Sequence, residues 1–235
     1  IYTLPYMIIA FRQFGDDYSI EINTLVKKIL DNQLAKGGWN GYEATADADT
    51  TAPVLLALAG REDAADSVNK ALAALESAVT FNENDTVVSW GSDTVESTAL
   101  LAAGLAAVGH DPADFYGHDL LNGIIAMADA SGNGFLYGYE NSLNATSTEQ
   151  GFRGLIACLG YVANKGAYNI YDFSANQDSR IYAIASQAEQ YTVTFDIRDE
   201  DNRDVSQKAV IRVYDAKGAK VAGDVNKYQL YTGDY

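Results

Sequence analysis

Up to about residue 170 the apolar residues recur at helical spacing; beyond residue 190 they alternate. The stretches "YTLPYMIIAFRQFG" (2–15) and "DDYSIEINTLVKKILDNQ" (16–33) predict an early helix pair. "EDAADSVNKALAALESAV" (62–79) and "DPADFYGHDLLNGIIAMADA" (111–130) predict two amphipathic helices, and Ala- and Leu-rich helical runs lie around them. In "YTVTFDIRD", Tyr191, Val193, Phe195 and Ile197 alternate with Thr192, Thr194, Asp196 and Arg198, the period of a half-buried strand. "AVIRVYDAKGAKV" (209–221) and "KYQLYTGDY" (227–235) add two further strands. The pattern therefore predicts a helical domain over 1–170 and a linker over 171–190. An incomplete, β-sandwich-like antiparallel module follows over 191–235.

The helical part repeats. "GGWNGYEATADADTTAPVLLALAG", "VSWGSDTVESTALLAAGLAAVG" and "NGFLYGYENSLNATSTEQGFRGLIACLG" each place Gly or Ser beside an aromatic (Trp39, Trp90, Phe135). A polar stretch with Thr and an acid follows, then an apolar helix ending near Gly. The interval of roughly 50 residues holds two helices and their loops, so the unit is a helical hairpin that buries its apolar face only by stacking on its neighbours. Small residues in "TALLAAGLAAVG" favour tight helix packing and a filled centre.

These segments resemble the prenyltransferase and squalene oxidase repeat over about residues 1–170. More narrowly, they resemble repeat domains of bacterial cell-surface proteins, in which D-x-D-x-T-A and A-T-E-Q segments precede small β modules. Cobalamin carriers combine a similar helical ring with β structure. The resemblance implies an α/α toroid with parallel inner helices; roughly four of its six hairpins can be placed here, so a partial ring is expected.

Composition narrows the function classes. The 235 residues carry a formal charge of -16. Such a surface repels phosphate backbones and anionic membranes, and suits cations or a salty exterior. No apolar run reaches the length of a membrane span. The lone Cys158 lies in the apolar "GLIACLGY" and reads as a buried structural thiol. The start at Ile1, without an initiator Met, suggests a piece excised from a longer protein.

The acids at the helix starts have two readings. Class II terpene cyclases, of the same resemblance, protonate an alkene with a D-x-D-D acid. Asp47 and Asp49 match its first two acids, but Thr50 replaces the last, which removes the neighbour that sharpens the acid. The capping reading covers all three repeats. Asp47 or Asp49 caps the first, "DTVE" (Asp93 to Glu96) the second and "TSTE" (Thr146 to Glu149) the third, with Pro53 in a first turn. On that reading Asp49 starts a helix, and Asp49→Ala costs about 1 kcal/mol. In a ring of parallel inner helices, Asp49, Glu96 and Glu149 collect at one mouth. Trp39, Trp90, Phe135 and Tyr137 then stand near them as a rim for a ligand or partner.

A second candidate is "DASGNGFLYGYE". Its spacing follows a calcium loop, with ligands Asp129, Ser131, Asn133, the Phe135 carbonyl and Glu140, Gly134 at the turn and Leu136 at the apolar position. The competing reading is an ordinary inter-helix turn. Calcium is the one metal the sequence offers, and no other cofactor is expected. His110 and His118 lack zinc spacing and read as surface loop residues. The whole reads as a mainly α protein, non-catalytic, serving binding or display on a secreted or wall-anchored bacterial surface protein. Its partner would be a protein, a glycan or a small molecule. A corrinoid carrier and a cyclase-like enzyme are the alternatives.

Overall fold

The computed structural model describes residues 1–14, 18–173, 190–194, 198, 201–204 and 227–231. The chain divides into two compact units, Ile1–Phe173 and Ser174–Tyr235. The start of the expected linker belongs to the first unit, where Tyr171 packs against the core; residues 174–189 lie outside the described residues.

The first unit carries α1 (Leu4–Arg12), α2 (Ser19–Asp31), α3 (Ala48–Leu58), α4 (Ala65–Ala78), α5 (Val95–Ala107), α6 (Leu120–Ala126) and α7 (Ala145–Asn164). Two small antiparallel sheets lie between helices. One joins β1 (Thr80–Phe81), β2 (Val87–Ser89) and β3 (Ser92–Asp93); the other pairs β4 (Leu136–Tyr137) with β5 (Ser142–Leu143). Two residues are too few to show alternation, so the sequence pattern does not announce these strands.

The odd-numbered helices form a row in which α1 packs on α3, α3 on α5 and α5 on α7. Outside it, α2 lies on α1, α4 on α3, and α6 on both α5 and α7. Burial explains the order. Every residue of α3 except Asp49 is buried, and every residue of α5 except Glu96 and Leu100. Helices apolar on all sides need partners on all sides. In contrast α4 buries only Ala71 and Leu75, as a one-sided amphipathic helix should.

Glycines set the spacing of the row. A Cβ on Gly104 of α5 would stand 2.9 Å from the Ala52 carbonyl oxygen of α3, and one on Gly154 of α7 would stand 2.7 Å from the Ala99 Cα of α5. Each glycine is the tenth residue after its helix cap and each alanine the fifth. The joint is therefore one contact used twice. It supports the tight packing read from "TALLAAGLAAVG".

A strap closes one end of the row. After α7 the chain crosses the C-terminal ends of the other row helices. Tyr168 N–H donates to the Ala106 carbonyl (2.8 Å), Asn169 Nδ2 to the Leu56 carbonyl (3.1 Å), and Gln13 Nε2 to the Tyr171 carbonyl (2.9 Å). The Leu56 and Ala106 carbonyls lie in the last turns of α3 and α5, where the regular helical donor is missing, and Gln13 is the C-cap of α1. The row helices accordingly run parallel, with their N-termini together at the opposite end.

Two expectations change in detail. The helix predicted over 111–130 is confined to Leu120–Ala126, because Tyr116 and Gly117 take left-handed backbone (φ 52° and 88°) and Asp119 caps a new start. Pro53 is not in a first turn: α3 begins at Ala48, so Pro53 lies in the second turn and leaves the Asp49 carbonyl without its helical donor.

In the second unit, β6 (Gln190–Thr194) pairs antiparallel with β7 (Lys227–Tyr231), in register from Gln190↔Tyr231 to Thr194↔Lys227. These are two of the three expected strands. The third, over 209–221, and residues Phe195 and Ile197 lie outside the described residues.

Candidate functional site

The repeats converge on a shared device at each helix start. In the first, Trp39 N–H donates to Thr51 Oγ1 (2.9 Å); in the second, Val87 N–H donates to Thr98 Oγ1 (2.9 Å); in the third, Phe135 N–H donates to Thr148 Oγ1 (3.0 Å). The carbonyls of Trp39, Val87 and Phe135 in turn accept from the N–H of the helix caps Asp47, Thr94 and Asn144. A buried residue is thus held on both backbone groups by the helix it precedes. The equivalents are Trp39, Val87 and Phe135, and the expected match of Trp90 to Trp39 is shifted by three residues.

This device determines which side chains reach the surface. Trp39 is fully buried and its Nε1 donates to the Ile29 carbonyl (2.8 Å), so it is a core residue and not a rim residue. Phe135 is buried as well, beneath Phe152. Trp90, at the β2–β3 turn with φ 53°, is 81% exposed.

The caps also sort the acids. Asp47 is the N-cap of α3: Thr50 N–H donates to its Oδ1 (2.6 Å) and Thr50 Oγ1 to its Oδ2 (3.0 Å). Burial raises its carboxyl above the ordinary aspartate value, against the lowering effect of those hydrogen bonds. Asp49, expected to start the helix, instead lies two residues inside and accepts from Ser89 Oγ (3.2 Å). Thr94 caps α5 and Asn144 caps α7, so neither expected capping box forms. The residue of α7 that corresponds to Asp49 and Glu96 is Thr146. Glu149 lies one turn further on and is paired with Arg153 on the helix surface.

Asp49, Trp90, Glu96 and Tyr137 are brought together. Two clefts adjoin at the N-terminal end of the row and share Asp49, Ser89 and Trp90. One, of about 560 Å³, is lined by Tyr2, Asn40, Tyr42, Glu43, Asp47 and Asp49 among others. Its neighbour, of about 590 Å³, is lined by Trp90, Glu96, Tyr137, Tyr139, Asn144 and Thr146 among others. Tyr139 OH donates to the Ser89 carbonyl (2.9 Å), which ties the third hairpin to the second. Partial burial first, then Tyr137 and the charges of Asp49 and Glu96, holds this phenol above the ordinary tyrosine value. Tyr2, Tyr42, Ser89 and Tyr139 escaped sequence reading because they carry no motif.

At the floor, Ser147 Oγ hydrogen-bonds Glu96 Oε1. Glu96 Oε2 is shielded from solvent and has no hydrogen-bond partner. Buried carboxylate oxygens ordinarily have donors, and this one has none.

The residues of the expected calcium loop occupy two elements. Asp129, Ser131 and Asn133 hydrogen-bond one another within a single turn, and Glu140 lies in the β4–β5 hairpin, where Ser142 Oγ contacts it. The Phe135 carbonyl, a required ligand, accepts from Asn144 N–H. Among the described residues, no three His, Cys, Asp or Glu side chains gather as a metal site.

The histidines lie in the loop between α5 and α6 and are partly buried there. His118 Nδ1 is 2.8 Å from Asp85 Oδ1 with its ring stacked on Phe81, and His110 meets Phe115 edge-on. Cys158 is buried as expected, and burial pushes its thiol up to about 12. Among the described residues, no helix is long and apolar enough to cross a membrane.

Comparison with known proteins gives no matching family, no matching curated protein and no matching solved structure.

Proposed function

We propose that the chain is a non-catalytic binding domain of a secreted or wall-anchored bacterial surface protein. Its helical unit is a partial α/α ring whose ligand sits at the N-terminal mouth of the inner row α1, α3, α5 and α7. The observation that carries this reading is the pair of adjoining clefts, in which exposed aromatic rings border carboxylates on a closely packed scaffold. Apolar and aromatic walls with a few fixed polar groups are the usual make-up of a small-ligand site. Two features support binding over proton-transfer catalysis. Asp49 is hydrogen-bonded to Ser89 in a cleft open to solvent, and Asp47 is committed to capping. An alkene-protonating acid needs a dry enclosure instead.

The test is a binding screen of the purified chain against wall fragments, glycans and corrinoids, with Trp90→Ala as the control. Saturable binding that Trp90→Ala abolishes, at an unchanged melting temperature, is the expected result. Binding that survives Trp90→Ala would move the function elsewhere on the molecule, and a corrinoid as the bound species would favour the carrier reading.

A further inference from the structure

Resting on the binding reading above, we infer that the mouth selects a protonated alkyl amine, such as a lysine side chain or a terminal ammonium group, held between Asp49 and Glu96 and against the ring of Trp90. Three observations lead there.

The first is charge. The residues lining the two clefts include four carboxylates, Glu43, Asp47, Asp49 and Glu96, and no Lys, Arg or His. The surrounding potential is therefore negative, consistent with the elevated Tyr139 phenol. Phosphate, carboxylate and sulfate ligands are repelled from it.

The second is spare acceptor capacity. Asp49, which lines both clefts, accepts from Ser89 Oγ at Oδ2, and Glu96, which lines the second, holds Ser147 at Oε1 alone. An N–H from a ligand completes such carboxylates with a charge-assisted hydrogen bond. A quaternary ammonium has the charge but no N–H, so the primary amine is the better match.

The third is the aromatic wall. Trp90 lines both clefts and Tyr137 and Tyr139 line the second, their rings 5.3 Å apart between centroids. Ring faces attract an ammonium group and cover its alkyl stem. A neutral alcohol of equal length gains only the apolar part.

The experiment is a calorimetric titration of the full chain with 1,5-diaminopentane, tetramethylammonium, pentan-1-ol and a chito-oligosaccharide, followed at low and at 0.5 M salt. The amine should bind saturably, at least tenfold more tightly than the alcohol and more tightly than tetramethylammonium, with affinity falling as salt rises. Glu96→Gln, which keeps the shape and the Ser147 contact, should weaken the amine at least tenfold. Asp49→Asn serves the same purpose if Glu96→Gln does not fold. If the oligosaccharide binds in a Trp90-dependent way while the amine does not, the amine assignment fails and the cleft stands. Equal binding of amine and alcohol, or no effect of Glu96→Gln and Asp49→Asn, also overturns it. If every probe is inert, the amine assignment fails; should the wall, glycan and corrinoid screen also find no Trp90-dependent binding, the cleft reading fails with it.

Discussion

Helices α5 and α7 are copies of one device with different neighbours. Both carry a first-turn threonine that holds a backbone N–H of the preceding segment, and both set a glycine against an alanine of the preceding row helix. They differ at the fifth residue after the cap. In α3 and α5 it is Ala52 and Ala99, each the seat for the next glycine; in α7 it is Glu149, paired with Arg153. A charged pair stands there in place of the small seat. Away from α5 and α6, the α7 surface shows Phe152, Ile156, Leu159 and Val162, all at least half exposed, whereas the equivalent turns of α5 are covered. One substitution class, small to charged, thus separates α7 from α3 and α5, each of which seats a glycine of the next row helix.

The comparison is broken most severely at the joints. Gly154→Val and Gly104→Val should each cost about 3 kcal/mol, because the added carbons meet neighbouring backbone that cannot rotate away. Urea unfolding measures this, and a loss below about 1 kcal/mol for both would mean that the row yields. Next are the threonines that lock the helix starts. Thr98→Val should cost about 2 kcal/mol by leaving the Val87 N–H unpaired, and Thr148→Val less, since Thr98 is fully buried and Thr148 is not. Equal losses would show that the starts of α5 and α7 are energetically alike.

How much of this was legible in the sequence depends on chain length per feature. Helices of nine or more residues announce themselves through apolar spacing, and the row and its outer layer follow from which of them are apolar throughout. The helix starts were legible as polar stretches but not by position, because Asp47 and Asp49, or Thr146 and Glu149, are equally plausible caps until the chain is folded. Searching by aromatic residue matched Trp39 to Trp90. Matching the threonine of the first turn would have selected Val87, which has no aromatic ring. The cleft depends on two-residue strands and on turns with left-handed residues such as Trp90 and Asn141, below the resolution of any periodicity.

Smaller effects sharpen the cap assignment. Asp47→Ala should cost about 1 kcal/mol and Asp49→Ala clearly less, reversing the order that a cap at Asp49 would give. Asp47→Asn preserves the cap and removes the titration. Because the folded carboxyl of Asp47 is raised above its unfolded value, its contribution to stability is fully present below the unfolded value and lost as pH rises through the folded one. Wild type should therefore lose ground to Asp47→Asn over that interval in thermal melts across acid pH. A constant difference would remove burial as the cause. Smallest of all, Glu149→Ala should change stability by less than about 0.5 kcal/mol, since its side chain is 58% exposed.

The strap after α7 has a mechanical consequence. Tension applied to the helical unit at its C-terminal end falls on Tyr171 at the end of α1, Asn169 on α3 and Tyr168 on α5. Three fastenings in different helices bear the load together, where a bare helix terminus would peel open one turn at a time. We predict that stretching the chain by its ends produces a single high-force event for this unit. Asn169→Ala, which removes the middle fastening, should lower that force, and an unchanged rupture force would show that the strap bears none of it.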